Sequence, residues 1–111
     1  MTFKDNRRYT RARVELHVSW GWTPQCLLKS KMTSLSAGGC FIQTELLAIR
    51  GQAVYVALWI PTEKILRGEV RYNLEGIGVG VEFLEVSPEE RERIAEVVEY
   101  FGKTGPTPSR A

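Results

Sequence analysis

Four arginines lie within seven residues near the N-terminus, just ahead of the first strand-like pattern: Arg7, Arg8, Arg11 and Arg13. Crowding like charges costs free energy, and fixing long side chains costs rotamer entropy, so an anionic ligand would relieve the cluster. A guanidinium binds phosphate bidentately, pairs with O6 and N7 of guanine and stacks on a purine ring. A guanine nucleotide would therefore use all three abilities of the cluster. Taken alone, the cluster is more typical of a solvated basic tail.

A stretch rich in serine and glycine, Ser34-Leu35-Ser36-Ala37-Gly38-Gly39, is the second candidate binding element, and its composition predicts a loop. A serine hydroxyl and backbone N–H groups at glycines can approach a phosphate or a base edge without steric obstruction. Taken alone, the stretch is more typical of a simple hairpin turn. Together with Arg7 and Arg11, which are spaced to clamp one ligand, it predicts a shared anion site.

The sequence shows none of the usual combinations of catalytic residues. His17 is the only histidine and lies on the polar side of an alternating pattern, so no catalytic triad is indicated. Cys26 and Cys40 are too few for a disulfide framework, make no zinc spacing with His17, and are expected to be small core residues. We expect a binding module that is not an enzyme and that uses no metal or cofactor.

Length and charge narrow the class of protein further. The 111 residues suit one domain, which we expect to be a monomer. The net charge is only +2, which argues against DNA or RNA as a partner, but it is unevenly distributed: residues 1–50 carry 8 basic and 3 acidic side chains, and residues 51–111 carry 7 and 10. With no apolar run of about 18 residues and no secretory signal, we expect a cytoplasmic protein without membrane contact.

Alternation of apolar and polar residues begins at Arg13, with Val14, Leu16, Val18 and Trp20 on one side, and predicts a strand. Five further short strands are predicted at residues 25–32, 40–42, 53–60, 64–72 and 77–83. Six short strands with tight turns indicate a small antiparallel barrel or sandwich. Residues 53–60 are apolar on both faces, so another element must pack outside them.

A helix is predicted from Ser87, because Ser87-Pro88-Glu89-Glu90 combines an N-cap serine, a first-turn proline and a capping-box acid. Its apolar stripe is expected to cover the outer face of residues 53–60, with Gly102 ending the helix. The stripe consists of Ile94, Val97, Val98 and Phe101. We therefore expect a flexible arginine segment at 1–12, a barrel with its helix at 13–101, and a disordered tail at 102–111.

At these positions the sequence resembles a known family. Arg7-Arg8-Tyr9-Thr10-Arg11 is similar to the RxxxR motif of PilZ domains, and Ser34 to Gly39 is similar to their (D/N)xSxxG motif. The stretch from Gly78 to Phe83 and the helix start at Ser87 resemble the last strand and helix of the same domains. The resemblance covers residues 6–101. It implies a mainly all-β fold, a six-stranded antiparallel β-barrel with a C-terminal α-helix, which binds the bacterial second messenger cyclic di-GMP without catalysis.

The resemblance also implies a role for each motif residue. Arg7 and Arg11 would contact guanine and phosphate, and Arg8 would assist them. Ser36 would offer its hydroxyl, and Gly39 would allow the close approach of the backbone.

Two further positions qualify this assignment. Ser34 stands where the family has Asp or Asn, so loss of a charge-assisted pair to the base edge is expected to weaken binding by about 1–3 kcal/mol, up to about a hundredfold. Tyr72 lies where family members can place an aromatic ring against a guanine. The alternative for Tyr72 is a tyrosine of the core or the barrel rim.

Other functions stay open at this point. A PilZ-like adaptor that binds no nucleotide would act through protein contacts, for example in pilus or motility machinery, with Trp22 or Trp59 as anchors. A single-stranded nucleic-acid binder would stack bases on Tyr9 or Trp20. The leading hypothesis is a cyclic di-GMP receptor that changes conformation on binding and signals to an unidentified effector protein.

Overall fold

A computed structural model describes residues 9–60 and 62–104 of the chain. Arg7 and Arg8, together with the rest of residues 1–8, lie outside the described residues, as do Pro61 and the tail from residue 105. Two of the predicted ligand-binding arginines therefore have no described position.

Six antiparallel strands form a closed barrel that is followed by one helix. They are β1 (Arg11–Gly21), β2 (Leu28–Ser36), β3 (Gly39–Gln43), β4 (Ala53–Trp59), β5 (Glu63–Leu74), β6 (Gly78–Leu84) and α1 (Pro88–Thr104). The order around the barrel is β1-β2-β3-β6-β5-β4. The predicted fold class, a six-stranded antiparallel barrel with a C-terminal helix, is confirmed.

The barrel interior is filled by alternate residues of each strand, as the period-two patterns predict. Trp20, Met32 and Ile42 are fully buried, and so are Val56, the partner of Trp20 in the β1–β4 register, and Val70 on β5. Each such side chain contributes about 1.5–3 kcal/mol through its removal from water. Cys26 and Cys40 are buried free thiols, as expected for core residues.

The N-terminal strands differ from the predicted boundaries. β1 begins at Arg11 rather than Arg13, because Arg11 already pairs with Ser36 in the β1–β2 ladder. β2 begins at Leu28, since Cys26 adopts a left-handed φ of 49° that interrupts an extended chain.

The predicted loop at residues 34–39 was wrong. β2 continues through Ser36 and β3 begins at Gly39, so that only Ala37 and Gly38 form the connection. Pairing of Ser36 with Gly39 closes this two-residue turn. The serine and glycine composition reflected a tight hairpin, with the motif serines on a strand.

Helix α1 begins with the predicted capping box. Ser87 Oγ accepts a hydrogen bond from Glu90 N at 3.0 Å, and the Glu90 carboxylate accepts one from Ser87 N at 3.1 Å. The helix continues past Gly102 to Thr104 and does not end at the glycine, because Gly102 lacks the positive φ of a helix C-cap.

The predicted position of α1 was also wrong. The helix packs chiefly against β1 and β2, where Ile94 and Val98 join the barrel core. Because these side chains are used there, the outer face of β4 is left uncovered and Trp59 is 70% exposed.

Candidate functional site

A cleft of about 600 Å³ opens where the start of β1, the β2–β3 turn, β5, β6 and the first turn of α1 meet. Volumes of this order hold small-molecule ligands. Its lining includes the predicted residues Arg11, Ser36, Gly39 and Tyr72. The fold thus brings residues from four separate elements to one concave surface.

Arg11 and Ser34 meet on the outer face of the β1–β2 hairpin. The β1–β2 register places Arg11 opposite Ser36 and Arg13 opposite Ser34, so all four side chains leave the same face of the sheet. Arg11 Nη1 donates a hydrogen bond to Ser34 Oγ at 3.0 Å. The second arginine of RxxxR is thereby held against the first serine of the SxSxxG motif.

Ser36 is only 3% exposed, and its hydroxyl is engaged in the turn. Ser36 Oγ accepts a hydrogen bond from Gly38 N at 3.1 Å and donates one to Gly39 O at 3.4 Å. These bonds shape the backbone that borders the cleft. The direct contact of this hydroxyl with a ligand stays a prediction.

Gly39 is required by the barrel itself. A Cβ at this position would collide with the carbonyl oxygen of Val81 on the neighbouring strand β6. Its partner in the register is Glu82, so absence of a side chain lets β3 and β6 pack together beside the cleft.

Tyr72 lies over a glycine on the adjacent strand. Its half-exposed ring covers Gly80, its partner in the β5–β6 register, so closely that a Cβ on Gly80 would meet the ring. The ring stacks on Phe41 at 6.1 Å between centroids, with an interplanar angle of 28°. A glycine on β6 therefore seats an aromatic surface at the edge of the cleft.

Three arginines that sequence reasoning did not place in the site also line the cleft: Arg50, Arg71 and Arg91. Arg71 lies where the β5–β6 register shifts between Val70 and Tyr72, and a bulge of this kind re-aims a side chain. Its Nη1 is 2.9 Å from Glu82 Oε1, in an exposed ion pair. Neither the bulge nor the position of Arg50 in the connection between β3 and β4 has a clear sequence signal.

Arg91 links the helix to the cleft. Its guanidinium lies 5.0 Å from the centroid of the Tyr9 ring, and its Nη1 donates to Ala37 O at 3.4 Å. Its sequence signal is its position three residues before the buried Ile94, because that spacing puts a cation on the apolar side of the helix. The helix start, the N-terminal Tyr9 and the β2–β3 turn are therefore in mutual contact.

The described cleft lining is strongly basic. It carries four arginines and one acid, Glu82, which already pairs with Arg71. This balance favours an anionic ligand, and the two tyrosine rings offer stacking surfaces for a base.

Cys40 lines the cleft, and its protonation state bears on nucleophilic chemistry there. Burial raises the pKa of Cys40 to about 12, and the nearby charge of Arg11, which lowers this pKa, has the smaller effect, so the thiol stays protonated. Among residues 9–60 and 62–104, no group of three histidine, cysteine or acidic side chains is placed to hold a metal ion.

The family is shown by comparison with known proteins. The sequence profile of the PilZ domain matches residues 5–100, so the chain belongs to the PilZ domain family. Comparison with curated protein sequences gives no match.

Solved structures share this fold at low sequence identity. The Bacillus subtilis inhibitor of motility MotI/DgrA matches with a TM-score of 0.74 and 16% identity, over 89% of this chain and 52% of that chain. The PilZ domain of YcgR from Escherichia coli, with c-di-GMP, matches with a TM-score of 0.69 and 14% identity, over 94% and 97%. The K. pneumonia MrkH–c-di-GMP complex matches with a TM-score of 0.68 and 14% identity, over 87% and 52%. The chain thus spans about half the length of the MotI/DgrA and MrkH chains.

In the part of the chain that the structure describes, no helix has the length and apolar character needed to cross a bilayer.

Proposed function

We propose that this chain is a receptor domain for cyclic di-GMP that binds the nucleotide in the arginine-lined cleft. The observation that carries the proposal is the convergence of Arg11, Arg50, Arg71 and Arg91 beside the β2–β3 turn. Membership of the PilZ family supports it, as do the similar structures of the YcgR PilZ domain with c-di-GMP and of the MrkH–c-di-GMP complex.

The charge and shape of the cleft fit this ligand class. Cyclic di-GMP has two phosphates and two guanines, so it presents two anionic groups and two stacking faces. Arginines neutralise phosphates by bidentate hydrogen bonds and also read the O6 and N7 edge of guanine. Tyr72 and Tyr9, which flank the basic lining, provide aromatic surfaces against which a guanine packs.

Each motif residue has a part in the proposed complex. Arg7 and Arg11 contact guanine and phosphate, with Arg8 assisting. Ser34 offers one hydroxyl to the base edge in place of a carboxylate, and the turn between Ser36 and Gly39 brings backbone close to the ligand. The domain acts as a binding module rather than as an enzyme.

Binding also supplies a signal. Closure of Arg7 and Arg11 on the nucleotide changes the surface near Tyr9, which contacts Arg91 at the start of α1. We infer that an effector protein in the bacterial cytoplasm responds to this change, in control of motility or biofilm formation. The inhibitor of motility among the similar structures supports motility as one such process.

Isothermal titration calorimetry with cyclic di-GMP tests the receptor function. The wild-type protein is expected to bind, and Arg11→Ala and Arg7→Ala are each expected to lose about tenfold or more in affinity, because a charge-assisted hydrogen bond contributes about 1.5–3 kcal/mol. Arg93→Ala is the matched control, since Arg93 lies on α1 beside Glu96 and outside the cleft.

Absence of heat with wild-type protein at tens of micromolar nucleotide would contradict the receptor function. Equal affinities for the Arg11 and Arg93 variants would contradict this site.

A further inference from the structure

The outer face of β4 and β5 carries an apolar surface that no described element covers. Trp59 is 70% exposed and Ile65 is 50% exposed. In the β4–β5 register Trp59 pairs with Glu63 and Ala57 pairs with Ile65, which makes Trp59 and Ile65 diagonal neighbours on one face. Exposed apolar groups that adjoin one another in this way mark interaction sites more often than isolated ones do.

The surface extends across β1 to the edge of β2. Gly21 pairs with Tyr55, and a Cβ on Gly21 would lie 3.3 Å from Leu27 N, so the backbone of the 79% exposed Leu27 passes beside the glycine that faces Tyr55. Ser19 pairs with Ala57 in the following row. The small residues Ser19 and Gly21 on β1 thus lie between two groups of long side chains. One group is Leu27 with the outward residues of β2, and the other is Trp59 and Ile65 on β4 and β5, which form the apolar ridge.

Basic side chains line the β2 side of this surface. Lys29 pairs with Ser19 and Lys31 pairs with His17, so both lysines leave the same outer face as Trp59. Neither lysine takes part in an ion pair within residues 9–60 and 62–104, whereas Arg67 at the opposite side is paired with Glu85. The uncompensated charge on β2 is therefore positive, because this strand carries no acidic residue. The acids on the same outer face lie on other strands: Glu15 on β1, and Glu63 and Glu69 on β5.

Trp22 and Trp59, the two candidate anchors for a partner protein, differ in their surroundings. Trp22 is partly buried and packs edge-on against Trp20 at 5.2 Å, so it belongs to the fold. Trp59 has no such cover. Exposed tryptophans in partly apolar surroundings are typical anchors of protein interfaces.

We propose that the surface formed by Leu27, Lys29, Lys31, Trp59 and Ile65, the Trp59 surface, docks an acidic segment of a partner protein. The apolar ridge takes one or two aromatic or branched aliphatic side chains of that segment, and Lys29 and Lys31 pair with its carboxylates. None of the five residues lines the arginine cleft, so docking and nucleotide binding use separate surfaces. The docking function holds whether or not the cleft binds a nucleotide.

Selection from a random peptide library displayed on phage tests the chemistry of the partner. Peptides enriched on the wild-type protein are expected to combine Asp or Glu with aromatic or aliphatic residues. One enriched peptide is then titrated calorimetrically against variants. Trp59→Ala is expected to weaken it by about tenfold or more, as for an interface anchor, and the double variant Lys29→Glu with Lys31→Glu is expected to weaken it similarly.

Tyr100→Ala is the matched control, because Tyr100 is an exposed aromatic residue on α1, away from this surface. It is expected to leave peptide affinity unchanged. Since Trp59, Lys29 and Tyr100 all have exposed side chains, circular dichroism should show each variant folded.

Three results would overturn the proposal. The first is enrichment of basic peptides or of none. The second is equal peptide affinity for the wild-type protein and Trp59→Ala. The third is concentration-dependent self-association that Trp59→Ala abolishes, which would identify a second copy of the chain as the occupant through the acidic face of its α1.

Discussion

Arg11 Nη1 donates a hydrogen bond to Ser34 Oγ at 3.0 Å, joining two residues that lie 23 positions apart in the chain. The contact depends on the β1–β2 register, which places both side chains on the outer face. The β1–β2 hairpin thereby brings together one residue from each of two separate sequence motifs.

Replacing Ser34 by aspartate should strengthen cyclic di-GMP binding. A carboxylate would hold Arg11 by a charge-assisted bond and accept hydrogen bonds from the N1–H and N2–H₂ groups of guanine. We expect Ser34→Asp to bind about tenfold or more tightly in calorimetric titrations, and Ser34→Ala to bind no better than the wild type. A Ser34→Asp variant that binds more weakly than the wild type would show that the nucleotide base does not lie at this position.

A methyl group at Gly80 should act on ligand binding through Tyr72. It would meet the Tyr72 ring, which is half exposed and can rotate towards solvent, so the fold survives but the stack on Phe41 is lost. We expect Gly80→Ala to weaken cyclic di-GMP binding about three- to tenfold, the contribution of an aromatic contact.

A double-mutant cycle tests whether Gly80 affects ligand binding through Tyr72. Gly80→Ala should have no further effect on affinity in a Tyr72→Ala background, because both changes remove the same stacking surface. Additive losses of affinity would mean that Gly80 acts independently of Tyr72.

Removal of the N-cap of α1 should destabilise the domain. Ser87→Ala deletes the hydroxyl that accepts from Glu90 N, and the expected loss is about 1 kcal/mol in the free energy of unfolding. Urea denaturation measures it. Glu89→Gln is the control, since Glu89 lies in the same turn and its change to glutamine should cost only a few tenths of a kcal/mol. Equal effects of the two variants would argue against the capping box.

Stability should fall at alkaline pH because of Cys40. Burial raises its pKa from 9.0 to about 12 in the folded state. Below pH 9 the thiol is protonated in both states and has no effect on the pH dependence. Between pH 9 and 12 the unfolded chain loses the proton and the folded chain keeps it, so the free energy of unfolding falls by up to about 1.4 kcal/mol per pH unit.

Urea unfolding of the wild type and Cys40→Ala from pH 8 to pH 10.5 tests the thiol effect. The wild type should lose more stability than the variant as the pH rises. Parallel pH profiles would show that the thiol is not protected in the fold.

Much of the fold was predictable because strand alternation and helix capping are local signals. The buried residues of β1 follow the period-two pattern, and the capping box at Ser87 is complete within four residues. The placement of α1 was not predictable in this way. Residues 53–60 are apolar on both faces, and only the tertiary packing of Ile94 and Val98 shows that the helix covers other strands.

Some residues of the candidate site could be predicted from the sequence, and others could not. Arg11, Ser34 and Gly39 were identified from motifs, and the structure brings them together at one end of the β1–β2–β3 sheet. Arg71 escaped detection because its direction depends on a bulge in β5, and a register shift has no local sequence signal. Arg50 likewise reaches the cleft only through the path of a long connection.

The most direct test of the central claim is an NMR titration of the wild-type protein with cyclic di-GMP. We expect amide shift changes confined to two groups of residues. One is the motif regions at residues 6–13 and 34–40. The other is the cleft residues Arg50, Arg71, Tyr72, Gly80 and Arg91, while the amides of Trp59 and Lys29 stay unchanged. The absence of shifts at saturating nucleotide, or shifts centred on β4 and away from the arginines, would contradict the binding of cyclic di-GMP in the arginine-lined cleft.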